Sequence, residues 1–546
     1  MRGILFHNGS VFDGVRFLPD GTEVLVEGTR ITQVGAGLNR ANTDDVDLGG
    51  GTLLPGFIDA HAHPVFAGNQ LRHCDLRSGS TVEQYLEIID TYATAHPREE
   101  WITGGGWAMD AFPEGKPTRQ ALDAVVEDRP VYLPNRDGHG AWVNTVALRL
   151  AGIHRDTLDP SDGRIEREPD GYPTGMLQEG AAIMVGRLLP AVTAEDWYQG
   201  LQLAQNHLLS LGVTGWQDAI IGDYMDGVDP LPTYLRAAGD GTLRVNVVGA
   251  LWWNRDRGLD QLPELLERRR AGQIERFHAN TVKMMLDGIA ESHTAAMLEP
   301  YLDHDGCTSG NAGIDFIDPG ELPSYVTALD TEGFQVHFHA LGDRAVRSAL
   351  DALDATRQAN PHSHQRHHLA HLQVVHPDDI ARFAPLNATA NIQALWATHE
   401  PAMDVLTIPF LGERRSQWQY PFGSLHAAGA QLCAGSDWPV TSSNPLSAVH
   451  VAVNRAAPVE PGRSLGDPFL PDQAINREVA LAAYTSGSAT INGLGQSVGF
   501  IRSGYDADLA VINADLAHIS DPELGQASVI QTWVRGEVGY EAHENH

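Results

Sequence analysis

Lys283 is one of only two lysines in a chain of 546 residues with 37 basic side chains, so arginine supplies nearly all of the positive charge. It sits in Thr281-Val282-Lys283-Met284-Met285-Leu286, an apolar run that reads as a buried strand. An unpaired ammonium there would cost several kcal/mol, on the order of the desolvation penalty of an ion. A primary amine can do what a guanidinium cannot: give up its proton when buried, act as a nucleophile, or take up CO2 as a carbamate. The plain alternative is a core lysine paired with a carboxylate, in a chain whose GC-rich coding makes lysine scarce. Upstream lies Leu54-Pro55-Gly56-Phe57-Ile58-Asp59-Ala60-His61-Ala62-His63. Residues i and i+2 of a strand share a face, so His61 and His63 project side by side as two ligands of one metal would. Alone, a His-x-His is a weak signal among 25 histidines. Downstream, His339 ends the run Phe334–His339, His371 ends His367–His371, and Asp437 ends Leu432–Asp437. Histidine and carboxylate donors without cysteine suit Zn, Mn, Fe or Ni.

The spacing of these residues predicts the elements that hold them. His339 and His371 are 32 residues apart, and His371 and Asp437 are 66 apart. One strand-plus-helix unit of a (β/α)8 barrel averages about 30 residues, and that fold gathers its chemistry at the C-terminal ends of its strands. Val213–Asp218 and Leu243–Leu251 read as strands 2 and 3, the Lys283 run as strand 4, and Ala388–Gln393 as strand 7. The barrel is expected over residues 55–480. His63 and Lys283 are 220 residues apart, whereas three barrel units need only about 100. The excess predicts an insertion at about 70–190, rich in Gly, Pro and Trp, that forms a lid or pocket wall. Short strands near both termini, such as the two around a Gly turn in Glu23–Val34 and the one in Ser528–Arg535, predict one small composite domain from residues 1–54 and 481–546. The expected fold class is therefore α/β: a (β/α)8 TIM-like barrel with a small β-sandwich domain formed by both chain termini.

This pattern resembles the amidohydrolase superfamily of metal-dependent hydrolases. His61 and His63 match the family's strand-1 Pro-Gly-Phe-Ile-Asp-x-His-x-His, Lys283 its strand-4 lysine, His339 and His371 its strand-5 and strand-6 histidines, and Asp437 its strand-8 aspartate. The segment Gly499–Leu509 is similar to the family's C-terminal signature. More narrowly, the chain is similar to the YtcJ-like branch, which includes N-substituted formamide deformylases. Asp137-Gly138-His139, Asn144, Thr174-Gly175-Met176-Leu177 with Glu179, and His339-Ala340-Leu341-Gly342-Asp343-Arg344 carry that likeness. One departure is Ala370, where the branch often has Glu before the strand-6 histidine.

The resemblance implies that His61 and His63 bind a buried divalent metal, zinc foremost, and that Asp437 bonds to it or to its water. It implies a carboxylated Lys283 bridging to a second ion held by His339 and His371. A single ion with an unmodified lysine stays open. The implied reaction is hydrolysis of a non-peptide C–N bond, in an amide or an N-substituted formamide, by a metal-activated hydroxide with Asp437 as proton shuttle. The alternatives are an esterase, lactonase or cyclic-amide hydrolase on the same site, and a non-catalytic regulatory protein that keeps the fold. His139 and Trp107 are expected to contact substrate, Trp107 being equally well read as a core residue. His337 shares the face of His339 and reads as a supporting group; His367 and His368 read as structural. Glu179 could face the pocket or cap a helix.

Composition narrows the class. With 42% hydrophobic residues, the chain can bury a sizeable core. A formal charge of -33 argues against nucleic acid or an anionic membrane as partner, because phosphate binding needs clustered basic residues. Cys74, Cys307 and Cys433 lie far apart, which gives no disulfide framework and suits a reducing, cytoplasmic location. The apolar run at Ile4-Leu5-Phe6 is too short for a secretory signal. The expected partner is a small-molecule substrate, with a homodimer left open.

Overall fold

The computed structural model describes residues 2–136, 140–160, 163–223, 229–460 and 462–542. His139, with Asp137 and Gly138, lies outside the described residues. Eight strands carry or support the candidate residues: β1 (Phe57–Ala62), β2 (Val213–Ile221), β3 (Asn246–Trp252), β4 (Phe277–Met285), β5 (Gln335–Ala340), β6 (His367–His371), β7 (Ala388–Ile392) and β8 (Gln431–Ala434). They pair in chain order, every neighbour parallel. β1, β6 and β7 are buried at every residue. That explains why they read as continuous runs: a parallel strand with helices outside and packed side chains inside has no solvent face. Helices such as Leu322–Thr331 and Asp343–Ala359 connect successive strands. Together these elements form a TIM-like barrel.

No ladder joins β8 to β1, yet the two ends are stitched. The Asp437 N–H donates to His61 O at 2.7 Å, and the His63 N–H donates to Trp438 O at 2.8 Å. Asn391, on β7, donates from Nδ2 to Ala60 O at 3.0 Å. Gly435 allows the approach, since a Cβ there would lie 2.6 Å from the His61 backbone nitrogen. β8 accordingly stops at Ala434, short of Asp437, whose φ of 58° turns its side chain out of the strand direction. Elsewhere the strand bounds shift by a few residues from the sequence reading: β2 runs on to Ile221, and β3 starts at Asn246.

Two further sheets come from the chain ends. One joins Gly3–His7, Glu23–Glu27, Arg30–Gly35 and Thr43–Asp47; the other joins Ser10–Val11, Thr52–Pro55, Leu509–Ile512, Val529–Val534 and Glu537–Glu541. Phe6, Val24, Ile31, Leu53, Leu509 and Trp533 share one apolar core, in which Phe6 meets Trp533 edge-on at 5.3 Å. The chain divides into two compact units, Met1–Pro64 with Gln205–His546, and Val65–Ala204. The terminal sheets thus fall in the same unit as the barrel. The physical reason is a tether one residue long: Gly56 alone separates Thr52–Pro55 from β1. The second unit is wider than the 70–190 excess counted from the sequence. Its six-stranded sheet runs from Gly163–Arg167 at one edge to Cys74–Asp75 at the other. Trp107, Phe112, Trp142, Tyr85 and Leu133 pack in its core.

Candidate metal centre

Strand alternation sets His61 and His63 at the end of β1, and the turn after β8 brings Asp437 against them. Asp437 Oδ1 lies 3.2 Å from His61 Nε2 and 3.1 Å from His63 Nε2. One ligand atom from each of the three falls within 4.8 Å of the others. Asp59 fixes this spacing. Its Oδ1 accepts the N–H groups of His61 and Ser436, each at 3.0 Å, and its Oδ2 accepts the Ser436 hydroxyl at 2.5 Å. Burial raises the Asp59 carboxyl to about 6 despite these three donors.

Lys283 enters from β4, whose register sets it opposite His337 and sets Met285 opposite His339. Its Nζ lies 3.5 Å from His61 Nε2 and 3.3 Å from His337 Nε2, so its contacts are imidazoles and not a carboxylate. Burial pulls the ammonium down to about 7, with Asp437 pulling the other way. Near neutral pH much of this amine is therefore uncharged, the form that reacts with CO2.

His339 and His371 form a second pair, with ring centroids 4.4 Å apart and His371 4.9 Å from His61. The His371 ring stacks on Trp396 at 5.3 Å. His339 Nε2 approaches Gly288 O at 3.4 Å and Asp287 Oδ1 at 3.9 Å. Asp287 in turn accepts three backbone N–H groups, from Ala296, Leu341 and Gly342, and so ties the loops after β4 and β5 together.

The electrostatics favour cation binding. Burial, then Lys283, lowers His61 and His339 to about 3. Burial, then His339, holds His371 well below the ordinary range. These rings are neutral and keep a lone pair. Burial pushes the Asp437 carboxyl up, but His61 and His63 outweigh it and hold the group well below the usual carboxylate range. His63 Nδ1 and His371 Nδ1 are buried with no hydrogen-bond partner among the described residues. Neutral imidazoles, an ionised carboxylate and unsatisfied ring nitrogens make a donor set that fits a divalent ion.

The remaining expected residues fall elsewhere. Trp107 is fully buried in the apolar core of the second unit, and its Nε1 donates to Leu133 O at 2.7 Å. The expectation of a substrate contact there is corrected: the ring is a core residue, packed edge-on against Phe112 and Trp142. Glu179 closes the strand Pro173–Glu179 and makes no side-chain cap to the helix that follows. His367 bridges Val336 N and Asp330, and His368 meets Asn391, both inside the barrel wall. The sequence reading assigned no role to Asp59, Asp218 or Asp287. Asp218 lies within the buried run of β2 and accepts the Tyr234 hydroxyl at 2.7 Å. Each is an acid inside or just after an apolar strand, the same signal that drew attention to Lys283.

Comparison with known proteins agrees with this geometry. Residues 44–540 match the amidohydrolase family. The chain is 29% identical to the YtcJ protein of Bacillus subtilis over 503 residues, 91% of each chain. It is 28% identical to the N-substituted formamide deformylase of Arthrobacter pascens over 548 residues, covering 95% of this chain and 94% of that one. Among solved structures, a metal-dependent hydrolase from Pyrococcus furiosus superposes with a TM-score of 0.69 at 25% identity, covering 93% of this chain and 98% of that one. The barrel, the converging histidines and aspartate, and the match over nearly the whole length agree: this chain belongs to the amidohydrolase family.

Proposed function

We propose that the protein hydrolyses a carbon–nitrogen bond other than a peptide bond, in an amide or N-substituted formamide of small size. The observation that carries this reading is the convergence of the His61 and His63 imidazoles and the Asp437 carboxylate on one point, with the buried Lys283 amine, lowered to about 7, beside them. The name of the Arthrobacter relative supports the formamide side. His61, His63 and Asp437 would hold one divalent ion, zinc in this reading; His339, His371 and Lys283, carried as a carbamate, would hold a second. Such ions activate water and polarise a scissile carbonyl. The Asp437 carboxylate, ionised and within 3.2 Å of His61 Nε2 and His63 Nε2, would accept the proton of the attacking water and return it to the leaving nitrogen. His139 remains a substrate contact in this proposal. The two terminal sheets are read as one β-sandwich, and the scattered free cysteines fit a cytoplasmic enzyme.

The test is a panel of N-substituted formamides, simple amides, lactams, lactones and esters, with zinc-loaded wild type and Asp437→Asn. The expected result is turnover on the formamide or amide members and a loss of about 10²–10⁴-fold in the variant. Turnover confined to esters or lactones would move the protein to that class. No turnover on any member by fully loaded protein would favour a non-catalytic role.

A further inference from the structure

We propose that His337 is a positioning residue: with Gln217 it dictates which nitrogen of His61 carries the proton, leaving His61 Nε2 free to bind an ion. This rests on reading the site as a metal centre. The direction of the chain of hydrogen bonds is set from its far end. A backbone carbonyl can only accept, so Gln335 Nε2 donates to Ile491 O at 2.5 Å. Gln335 Oε1 then faces the Thr281 hydroxyl at 2.9 Å and Gln217 Nε2 at 3.3 Å. Two amide oxygens at that distance would repel, so Gln217 must present its NH2 to Gln335; the same group reaches Asn492 Oδ1 at 2.8 Å. Gln217 Oε1 is left against His337 Nδ1 at 2.5 Å and accepts its proton. A neutral imidazole has one N–H, so His337 Nε2 carries a lone pair. It accepts from His61 Nδ1 at 3.0 Å. The His61 proton therefore sits on Nδ1, and its Nε2 lone pair points to the space shared with Asp437 Oδ1, 3.2 Å away.

Gln217, His337 and His61 are at most 1% exposed, so no solvent can swap these bonds. A histidine ligand needs a partner for its other nitrogen, which fixes the tautomer and the ring angle. Here that partner is a second histidine, itself oriented by two hydrogen-bonded amides inside the barrel. Both nitrogens of His337 are committed, so it cannot itself be a ligand although it sits two residues before His339. Lys283 Nζ, at 3.3 Å from the same lone pair, is the longer of its two contacts there.

The test uses full-length protein stripped of metal, with zinc affinity read by chelator competition for wild type, His337→Gln and His337→Leu. Glutamine can accept at its amide oxygen; leucine cannot. Expected is a loss of about 10–100-fold for His337→Leu and retention within about threefold for His337→Gln. Should His337→Leu fail to fold, Gln217→Leu removes the acceptor for His337 Nδ1 and is expected to weaken zinc by a similar factor. Equal losses in His337→Gln and His337→Leu, or wild-type affinity in the leucine variants, would overturn the proposal. Wild type that binds no zinc would overturn the metal-centre reading instead. The relay is then read alone from the histidine nitrogen NMR signals of metal-free protein: His61 protonated at Nδ1 supports it, and protonation at Nε2 overturns it.

Discussion

At the scale of single residues, Lys283 joins composition to chemistry. A chain that uses arginine almost everywhere keeps one lysine where a guanidinium could not serve. Burial lowers its amine to about 7, and its contacts are two imidazoles. Lys283→Arg keeps a charge but cannot form a carbamate. The variant is expected to lose the second equivalent of metal and to fall at least about tenfold in turnover. Metal analysis beside a rate assay checks this; two equivalents and full rate in the arginine variant would exclude a bridging lysine. His61, His63, His339, His371 and Asp437 stand at the ends of apolar runs and Lys283 stands inside one, and a polar group at such a place needs a reason. Trp107 was not legible as core or pocket, since a large aromatic after glycines fits both, and only its buried bond to Leu133 O decides.

At the scale of elements, the strand that bears His61 and the strand that leads to Asp437 share no ladder, so something else must hold the ligand spacing. Asp59 does so by accepting from His61 and from Ser436 at once. Asp59→Asn places an NH2 where an acceptor is needed. The expected cost is about 1–3 kcal/mol in unfolding of the metal-free protein, together with weaker metal binding. Denaturant titration and chelator competition check the two effects; a variant unchanged in both would leave the seam to backbone contacts alone. Strand order could be read in advance, and strand bounds to within a few residues, because a parallel strand buried on both faces leaves an apolar run. The seam could not. It depends on Gly435 approaching His61 and on a left-handed turn at Asp437, and neither has a periodic signature.

At the scale of the whole molecule, the first unit carries both the barrel and the sheets of the two termini. Asp508 links them: its Oδ1 accepts the Arg535 N–H at 2.7 Å, and its Oδ2 accepts from Asn246 Nδ2, at the start of β3, at 3.4 Å. Burial raises its carboxyl from 3.8 to about 6. The folded state thus binds this proton more tightly than the unfolded chain does. Stability from this group is full below pH 3.8 and is lost as pH rises to about 6. The difference corresponds to about 3 kcal/mol. Asp508→Asn removes the titration and keeps an acceptor for Arg535. Its stability relative to wild type is expected to rise between pH 4 and pH 7, on the order of that amount. Thermal unfolding of both proteins across that range checks the sign; a gap that shrinks as pH rises would contradict it. That one sheet draws strands from both ends was readable from the alternating runs there, whereas its union with the barrel was not, because one buried aspartate and a one-residue tether leave no mark in composition.

The claim on which the rest depends is that His61, His63 and Asp437 surround an ion. Anomalous scattering at the zinc edge, from crystals grown with zinc and without chelator, tests it most directly. The account predicts a peak at bonding distance from His61 Nε2 and His63 Nε2, with Asp437 beside it. A map with no peak there, and both imidazoles bonded only to the Asp437 carboxylate, would contradict it.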